Sequence, residues 1–316
     1  MTLNQLRTFL AVAETCSVRA AAQNLVVTQA AVSASLAALQ KSLGVALLEP
    51  DGRGLRLTAA GQAYAGYVRR VLGLLDEAGR AAAAAADPER GELRIAAVTT
   101  AAEQILPGLL SGFRTRYPRL GVRLEAGNRD RVRGLLDRHQ VDLVLGGRPE
   151  PGWDVRVLAV RAHQLVVVAA PGLAASAGPE AAPGGAGLVP WLARQAWLLR
   201  EPGSGTRAAT DALLTELDIA PLTLMVGSNG AIRESATVAL GVTLISRDAV
   251  EAELADGRLA ALPVPGTPMH RDWYLVAQAG PRGSLPPAAG RLVGHVLAHG
   301  GFHPAESIRA GHRTDS

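Results

Sequence analysis

Apolar positions in the first sixty residues recur at helical spacing in three short blocks. Leu3, Leu6, Leu10 and Ala13 form one stripe and predict a first helix that ends near Cys16. Val18, Ala21, Ala22 and Leu25 form the stripe of a second helix. Val32, Leu36, Leu39 and Leu43, at steps of four, three and four, form that of a third. Ser17 and Thr28 stand just ahead of the second and third helices, where a hydroxyl accepts the orphan amide protons of the first turn. Gln29, Ser33 and Lys41 fall largely outside the third stripe. Two capped helices in tight succession, the second polar on one face, read as a helix-turn-helix. Leu47–Leu48 and Leu55–Leu57 then flank Asp51-Gly52-Arg53-Gly54 and predict a small two-stranded wing.

From Thr58 a helical pattern runs to the alanine tract before Asp87-Pro88. Its stripe of Tyr64, Val68, Val71, Leu75 and Ala78 is too narrow for a globular core and suits a partner helix. Gly61, Gly66, Gly73 and Gly79 each weaken such a helix in isolation, by about 1 kcal/mol relative to alanine. Dimerisation through this helix is the expectation, and a plain connecting rod is the alternative.

At Glu92 the texture changes to strands alternating with helices. "LRIAAV" precedes a helix around 101–116, "GVRLEA" one around 129–138, and "DLVLGG" follows. The rhythm restarts with "LVVVAA" and runs through "AWLL", a helix near 206–217, "LTLMV", a helix near 230–239, "GVTLIS" and "LAALPV". This pattern predicts a mostly parallel sheet. "WYLVAQ" at 273–278 can return to the first sheet, making two lobes with crossovers near 161–164 and 265–271. The Ala-, Gly- and Pro-rich segment 172–190 reads as a loose surface loop, and 301–316 as a polar, disordered tail.

Composition narrows this picture little. The 316 residues, 48% hydrophobic, suffice for more than one domain. The formal charge of +4 suits a nucleic-acid partner only modestly. Arg7, Arg19, Lys41, Arg53 and Arg56 against Glu14, Glu49 and Asp51 leave residues 1–60 an excess of two positive charges. Cys16 is the only cysteine, which excludes a disulfide framework and a thiolate metal cluster. The N-terminus lacks the pattern of a signal peptide, and no stretch reads as a membrane span, so a cytoplasmic protein without a membrane partner is expected.

Three places combine a strand end, hydroxyls and a helix start: Thr99-Thr100, Gly203-Ser204-Gly205-Thr206-Arg207 and Gly227-Ser228-Asn229. Helix N-termini of this kind offer amide protons to an anion, though Ser and Thr also cap helices with no ligand present. Arg207 can add a bidentate clamp. Asn128, Arg129 and Arg148 occupy equivalent strand ends, so the converging charge is positive and a small anion is the expected ligand. Neither Ser204 nor Ser228 lies in G-x-S-x-G, and "GSGT" lacks the Gly-Lys-Ser/Thr of a phosphate loop. His295 and His299 are four apart on a predicted helix without a carboxylate motif beside them, which favours packing over a metal site. No catalytic residue, metal site or cofactor is expected.

The segment "LNQLRTFLAVAETCSVRAAAQNLVVTQAAVSASLAALQKSLGVALLEPDGRGLRLTAAG" resembles the LysR-type transcriptional regulators almost position by position. The resemblance extends to about residue 300. It implies a winged helix-turn-helix over 1–58, a linker and dimerisation helix over 59–90, and a two-lobed effector domain over 91–300 similar to periplasmic binding proteins. Lobe I would comprise 91–162 and 270–300, lobe II 163–269. It also implies double-stranded promoter DNA as a partner, contacted by Ser17, Thr28, Gln29, Ser33, Ser35, Lys41, Arg53 and Arg56, with Gln29 best placed to read a base edge. A homodimer or a dimer of dimers, a small effector and RNA polymerase complete the implied partners. This chain departs from the family in carrying Ala34 after the serine and Pro50 after "LLE". "GNRDRV", "DLVLGGRP", "REPGSGTR" and "GSNGAI" are similar to regulators of carbon-fixation (Calvin cycle) operons, which answer to phosphorylated metabolites; a sulfur-assimilation branch shares parts of them. "TTAAEQILP" lacks the lysine and aromatic residues of the carbon-fixation branch. The alternative class is a small-molecule binding protein or enzyme whose N-terminal helices serve only oligomerisation.

Overall fold

The computed structural model describes residues 1–52, 54–87, 89, 91–178, 187–279 and 285–305. It divides into two compact units, Met1–Ala85 with Asp137–Gln140, and Ala86–Leu136 with Val141–Ser316.

The first unit opens with α1 (Leu3–Thr15), α2 (Val18–Leu25) and α3 (Gln29–Leu43). The hydroxyls of Ser17 and Thr28 accept from the amides of Ala20 and Ala31 at 3.3 and 3.1 Å, as their positions predict. Between α2 and α3 the chain bends by 107° through Val26, an exposed valine held at φ 56°. The buried face of α1 is Leu6, Phe9 and Val12, whereas Leu3 is exposed and Leu10 only flanks the core. The predicted stripe was therefore rotated, because it passed over Phe9, the residue on which Tyr64 packs at 5.5 Å. Complete burial of that ring is worth about 2–3 kcal/mol.

The wing follows as β1 (Leu48–Asp51) and β2 (Gly54–Leu57), antiparallel with Leu48 opposite Leu57. The Gln40 side-chain carbonyl accepts from the amides of Leu47 and Leu48 and pins the wing to α3. Thr58 caps α4 (Ala59–Ala86) by accepting from the Gly61 amide at 3.0 Å. The first half of the α4 stripe, with Ala65 and Val68, belongs to the core of this same unit. Tyr67, on another face of the same turns, and Val71, Leu74 and Leu75 beyond them stand exposed.

The second unit contains, in order, β3 (Glu92–Val98), α5 (Thr99–Gln104), α6 (Leu106–Arg116), β4 (Gly121–Gly127), α7 (Arg129–Asp137), β5 (Leu143–Gly146) and β6 (Val155–Ala169). Then come α8 (Pro171–Ala175), α9 (Leu188–Leu192), β7 (Trp197–Leu199), α10 (Gly205–Glu216), β8 (Thr223–Met225), α11 (Asn229–Thr237) and β9 (Thr243–Ser246). α12 (Glu251–Ala255), β10 (Ala260–Leu262), β11 (Met269–Gln278), α13 (Pro287–His299) and β12 (His303–Pro304) close it.

β3 pairs in parallel with β4 and β5, but every partner of β6 runs antiparallel to it, so the sheet is mixed rather than mostly parallel. β6 and β11 pair from Val155–Gln278 to Leu165–Met269. The expected crossover near 161–164 thus lies within the continuous strand β6, and the one near 265–271 is a turn that enters β11 at Met269. One set of cores draws on residues 93–160 and 273–302. The other draws on 165–264. Three further expectations change. The helix around 101–116 is broken at Ile105, just ahead of Pro107. The segment 172–190 includes parts of two short helices, with 179–186 outside the described residues. The predicted tail begins later, because Phe302 is buried and His303–Pro304 pair with β6. Residues 306–316 lie outside the described residues.

The glycines of α4 are not equivalent. A Cβ at Gly61 would fall 1.9 Å from the Leu47 carbonyl oxygen, whereas one at Gly66 meets open space. Gly61→Ala should destabilise the unit by at least about 1–3 kcal/mol despite its helix propensity. Gly66→Ala should stabilise it by up to about 1 kcal/mol. Denaturant unfolding of the two variants checks both signs.

Candidate functional site

Two surfaces concentrate the predicted site residues. On the first unit, Thr28, Gln29, Ser33 and Lys41 are exposed. Gln29 and Ser33 are four apart on α3 and share a face, continued by Ala30, Ala34 and Ala37. Ser35 is half-buried, about 200° round the helix from Ser33. Ser17 is half-buried and its hydroxyl is engaged in its cap. Arg56 is exposed but ion-paired across the wing with Glu49 at 2.6 Å. Arg53 lies outside the described residues.

In the second unit a cavity of about 400 Å³ opens where the two sets of cores meet along β6 and β11. Thr99, Thr100, Asn128, Arg129, Arg148, Ser204 and Thr206, all at predicted strand ends, line it. Ser204 precedes α10 without making a side-chain capping bond, so its hydroxyl is not spent on the helix. Asn128 caps α7 by accepting from the Arg131 amide at 2.9 Å.

The other three predicted residues do not line this cavity. Arg207 gives its Nε to both carboxylate oxygens of Asp211, at 2.8 and 2.9 Å, and faces a neighbouring surface hollow. Ser228 spends its hydroxyl on the Ala231 amide as the cap of α11. Asn229 is buried, donates to the Thr100 hydroxyl at 2.8 Å and accepts from Arg200. It braces two residues that do face the cavity.

Residues 86–301 match the LysR substrate binding domain, and residues 3–62 match the bacterial regulatory helix-turn-helix protein of the lysR family. The RuBisCO operon transcriptional regulator of Acidithiobacillus ferrooxidans is 36% identical over 89% of this chain and 89% of its own. The chain is a LysR-type transcriptional regulator. Full-length CbnR, solved in a complex with its target DNA, shares the fold at 24% identity with a TM-score of 0.66, covering 94% of this chain and 99% of CbnR. The regulatory domain of Synechocystis CcmR, solved in complex with 2-PG, is 28% identical with a TM-score of 0.54, covering 64% of this chain and 96% of that domain. These relatives are regulators, which sets aside the reading of an enzyme whose N-terminal helices only oligomerise. No single described helix is long and apolar enough to cross a membrane.

The regulator's cavity holds more cationic side chains than sequence reasoning found. Arg129, Arg148, Arg200 and Arg271 face Glu201 and Asp272, an excess of two positive charges counted without the histidines His163 and His270. Arg148 donates to the Tyr274 hydroxyl at 3.2 Å. Arg200 is buried and forks onto Glu201 at 2.7 and 2.8 Å, which holds that carboxyl below its ordinary range. Arg200 sits at the end of "AWLL" in the primary sequence, a strand end that was the one available signal. His163, Trp273 and Tyr274 lie within continuous strands and carried none.

Asp248 stands behind this wall. It is 3.3 Å from His163 Nδ1, accepts from Trp273 Nε1 at 3.4 Å and pairs with Arg161 at 3.4 Å. The contact with His163 outweighs burial and lowers its carboxyl below the ordinary value. A carboxyl depressed by folding contributes stability above its unfolded pKa, near 3.9, and loses it as pH falls through the lower folded value. Asp248→Asn should therefore cost about 1–3 kcal/mol near neutrality, and the gap from wild type should narrow as pH falls below about 4. Urea unfolding at neutral and acid pH checks the trend.

Proposed function

We propose that this regulator controls carbon-fixation genes in response to a small phosphorylated anion held in the β6–β11 cavity. The convergence of Arg148, Arg200, the free Ser204 hydroxyl and the start of α10 on one enclosed space carries the reading. The likeness to a RuBisCO operon regulator and to a domain that binds 2-PG supports the target and the ligand class. Residues 91–162 with 270–300 act as lobe I and 163–269 as lobe II, and the anion favours their closed arrangement.

DNA reading rests on Gln29 and Ser33 of the 1–58 winged domain, with Thr28, Lys41 and Arg56 on the phosphates. The exposed Tyr67, Val71, Leu74 and Leu75 of α4, within the 59–90 linker, supply a dimer seam. A dimer sets two recognition helices about 34 Å apart. A dimer of dimers in the cytoplasm, engaging RNA polymerase when lobe closure alters DNA bending, completes the proposal.

Gln29→Ala should remove about 1–3 kcal/mol of discrimination at one base pair while leaving the dimer intact. Mobility shifts on single-base operator variants read this, and unchanged base preference overturns the reading face. For the cavity, Arg148→Ala should abolish the change in footprint length caused by 2-PG while basal binding persists. Arg207→Ala, whose guanidinium is occupied by Asp211 outside the cavity, should keep that response. A response lost in Arg207→Ala and retained in Arg148→Ala would overturn the assignment.

A further inference from the structure

A second hollow, of about 650 Å³, lies on the second unit between α6 and α13 and shares no residue with the β6–β11 cavity. Gly108 and Gly112, one turn apart on α6, clear its wall. Nothing lies within 4 Å of a Cβ built at Gly108, and one at Gly112 would stand 3.2 Å from His295 Nε2. Ile105 and Leu109 make the floor apolar. The charged and titratable groups that line it are Arg116, Arg161, His295 and His299, with no carboxylate among them.

Arg116 has no carboxylate partner among the described residues and rests over the Tyr117 ring at 5.8 Å. His295 is nine-tenths buried, and its Nδ1 has no hydrogen-bond partner among the described residues. The rings of His295 and His299 are 5.0 Å apart. Burial, reinforced by His299, holds His295 below its ordinary pKa. Arg161 pairs with Asp248, but Arg116 has no counter-charge among the described residues and the His295 Nδ1 beside it has no partner; an anion supplies both.

We infer that this hollow is a second anion site, taking a phosphate monoester with a short apolar part, and that it is coupled to the β6–β11 cavity through Asp248. Arg161 lines the hollow and pairs with Asp248 at 3.4 Å. The same carboxylate holds His163 at 3.3 Å and Trp273 at 3.4 Å, both lining the first cavity and stacked on each other at 4.4 Å. A phosphate on Arg161 competes with Asp248 for the guanidinium and changes what Asp248 offers to His163 and Trp273. Occupancy of either site then alters affinity at the other, by the same factor in both directions.

Calorimetric titration of the full chain with phenyl phosphate tests this. Two binding events per chain are expected, one lost in Arg116→Gln and in Gly108→Leu, the other lost in Arg148→Ala. Gly108→Leu fills the hollow without changing its charge, so it guards against a general electrostatic effect of removing Arg116. In Asp248→Asn both events should persist, and the dependence of one affinity on occupancy of the other, about fivefold or more in wild type, should vanish. A binding curve unchanged by both Arg116→Gln and Gly108→Leu overturns the second site. A single event sensitive to these two and not to Arg148→Ala upholds it and removes the metabolite cavity proposed above. Coupling that survives in Asp248→Asn overturns the route.

Discussion

The antiparallel pairing of β6 with β11 is the constraint on which the effector unit depends. Over ten residue pairs, broken by one irregularity between Leu275 and Val276, two strands run from one set of hydrophobic cores into the other. Side chains alternate along a strand, so residues of the same pair of strands point into cores and into the space between them. His163 and Leu165, two apart on β6, reach the cavity this way, and Trp273 and Tyr274 of β11 line it as well. The strands that join the two sets of cores also furnish the wall of the cavity, so a change in how those cores meet is felt there.

Around that wall, hydrogen bonding divides the hydroxyl residues into supports and free groups. Ser228 is consumed as a helix cap, whereas Ser204 is not. Asn229 spans from Thr100 to Arg200, and Arg200 in turn is held by Glu201. A buried guanidinium already paired with a carboxylate is not an empty anion receptor; a ligand must displace or share that partner, which trades affinity for selectivity. Arg148 donates to a tyrosine hydroxyl and feels the Asp272 carboxylate only through space, so its guanidinium is less occupied.

The DNA-binding unit works with little charge and a small core. Leu39 and Phe9 are fully buried, and α4 joins the core through Ala65 and Val68, so the long helix begins inside the domain it carries. Gly61 permits that docking, since the Leu47 carbonyl occupies the space a side chain would need. With Arg56 paired to Glu49 and alanines beside Gln29 and Ser33, one copy has few phosphate contacts to offer. Joining two copies raises the effective concentration of the second reader, which offsets weak binding by each.

Local rules made the N-terminal half of the architecture legible. Caps at Ser17 and Thr28, the steps from Val32 to Leu39 and the glycine turn of the wing act over a few residues, and the structure keeps them all. The strand-end hydroxyls were legible too, because a strand followed by a helix announces itself in the hydrophobic period. Tertiary structure decided the rest. Whether Ser204 or Ser228 faces a ligand depends on which amide each hydroxyl meets, and both occupy the same kind of position in the sequence. Arg207 looked like the clamp until Asp211, one helical turn away, took its guanidinium. His163 and Trp273 come from strands more than a hundred residues apart, and Asp248 gathers them only because β6 and β11 pair. Periodicity reports which face of an element is buried; it carries no information about what lies opposite that face across such distances.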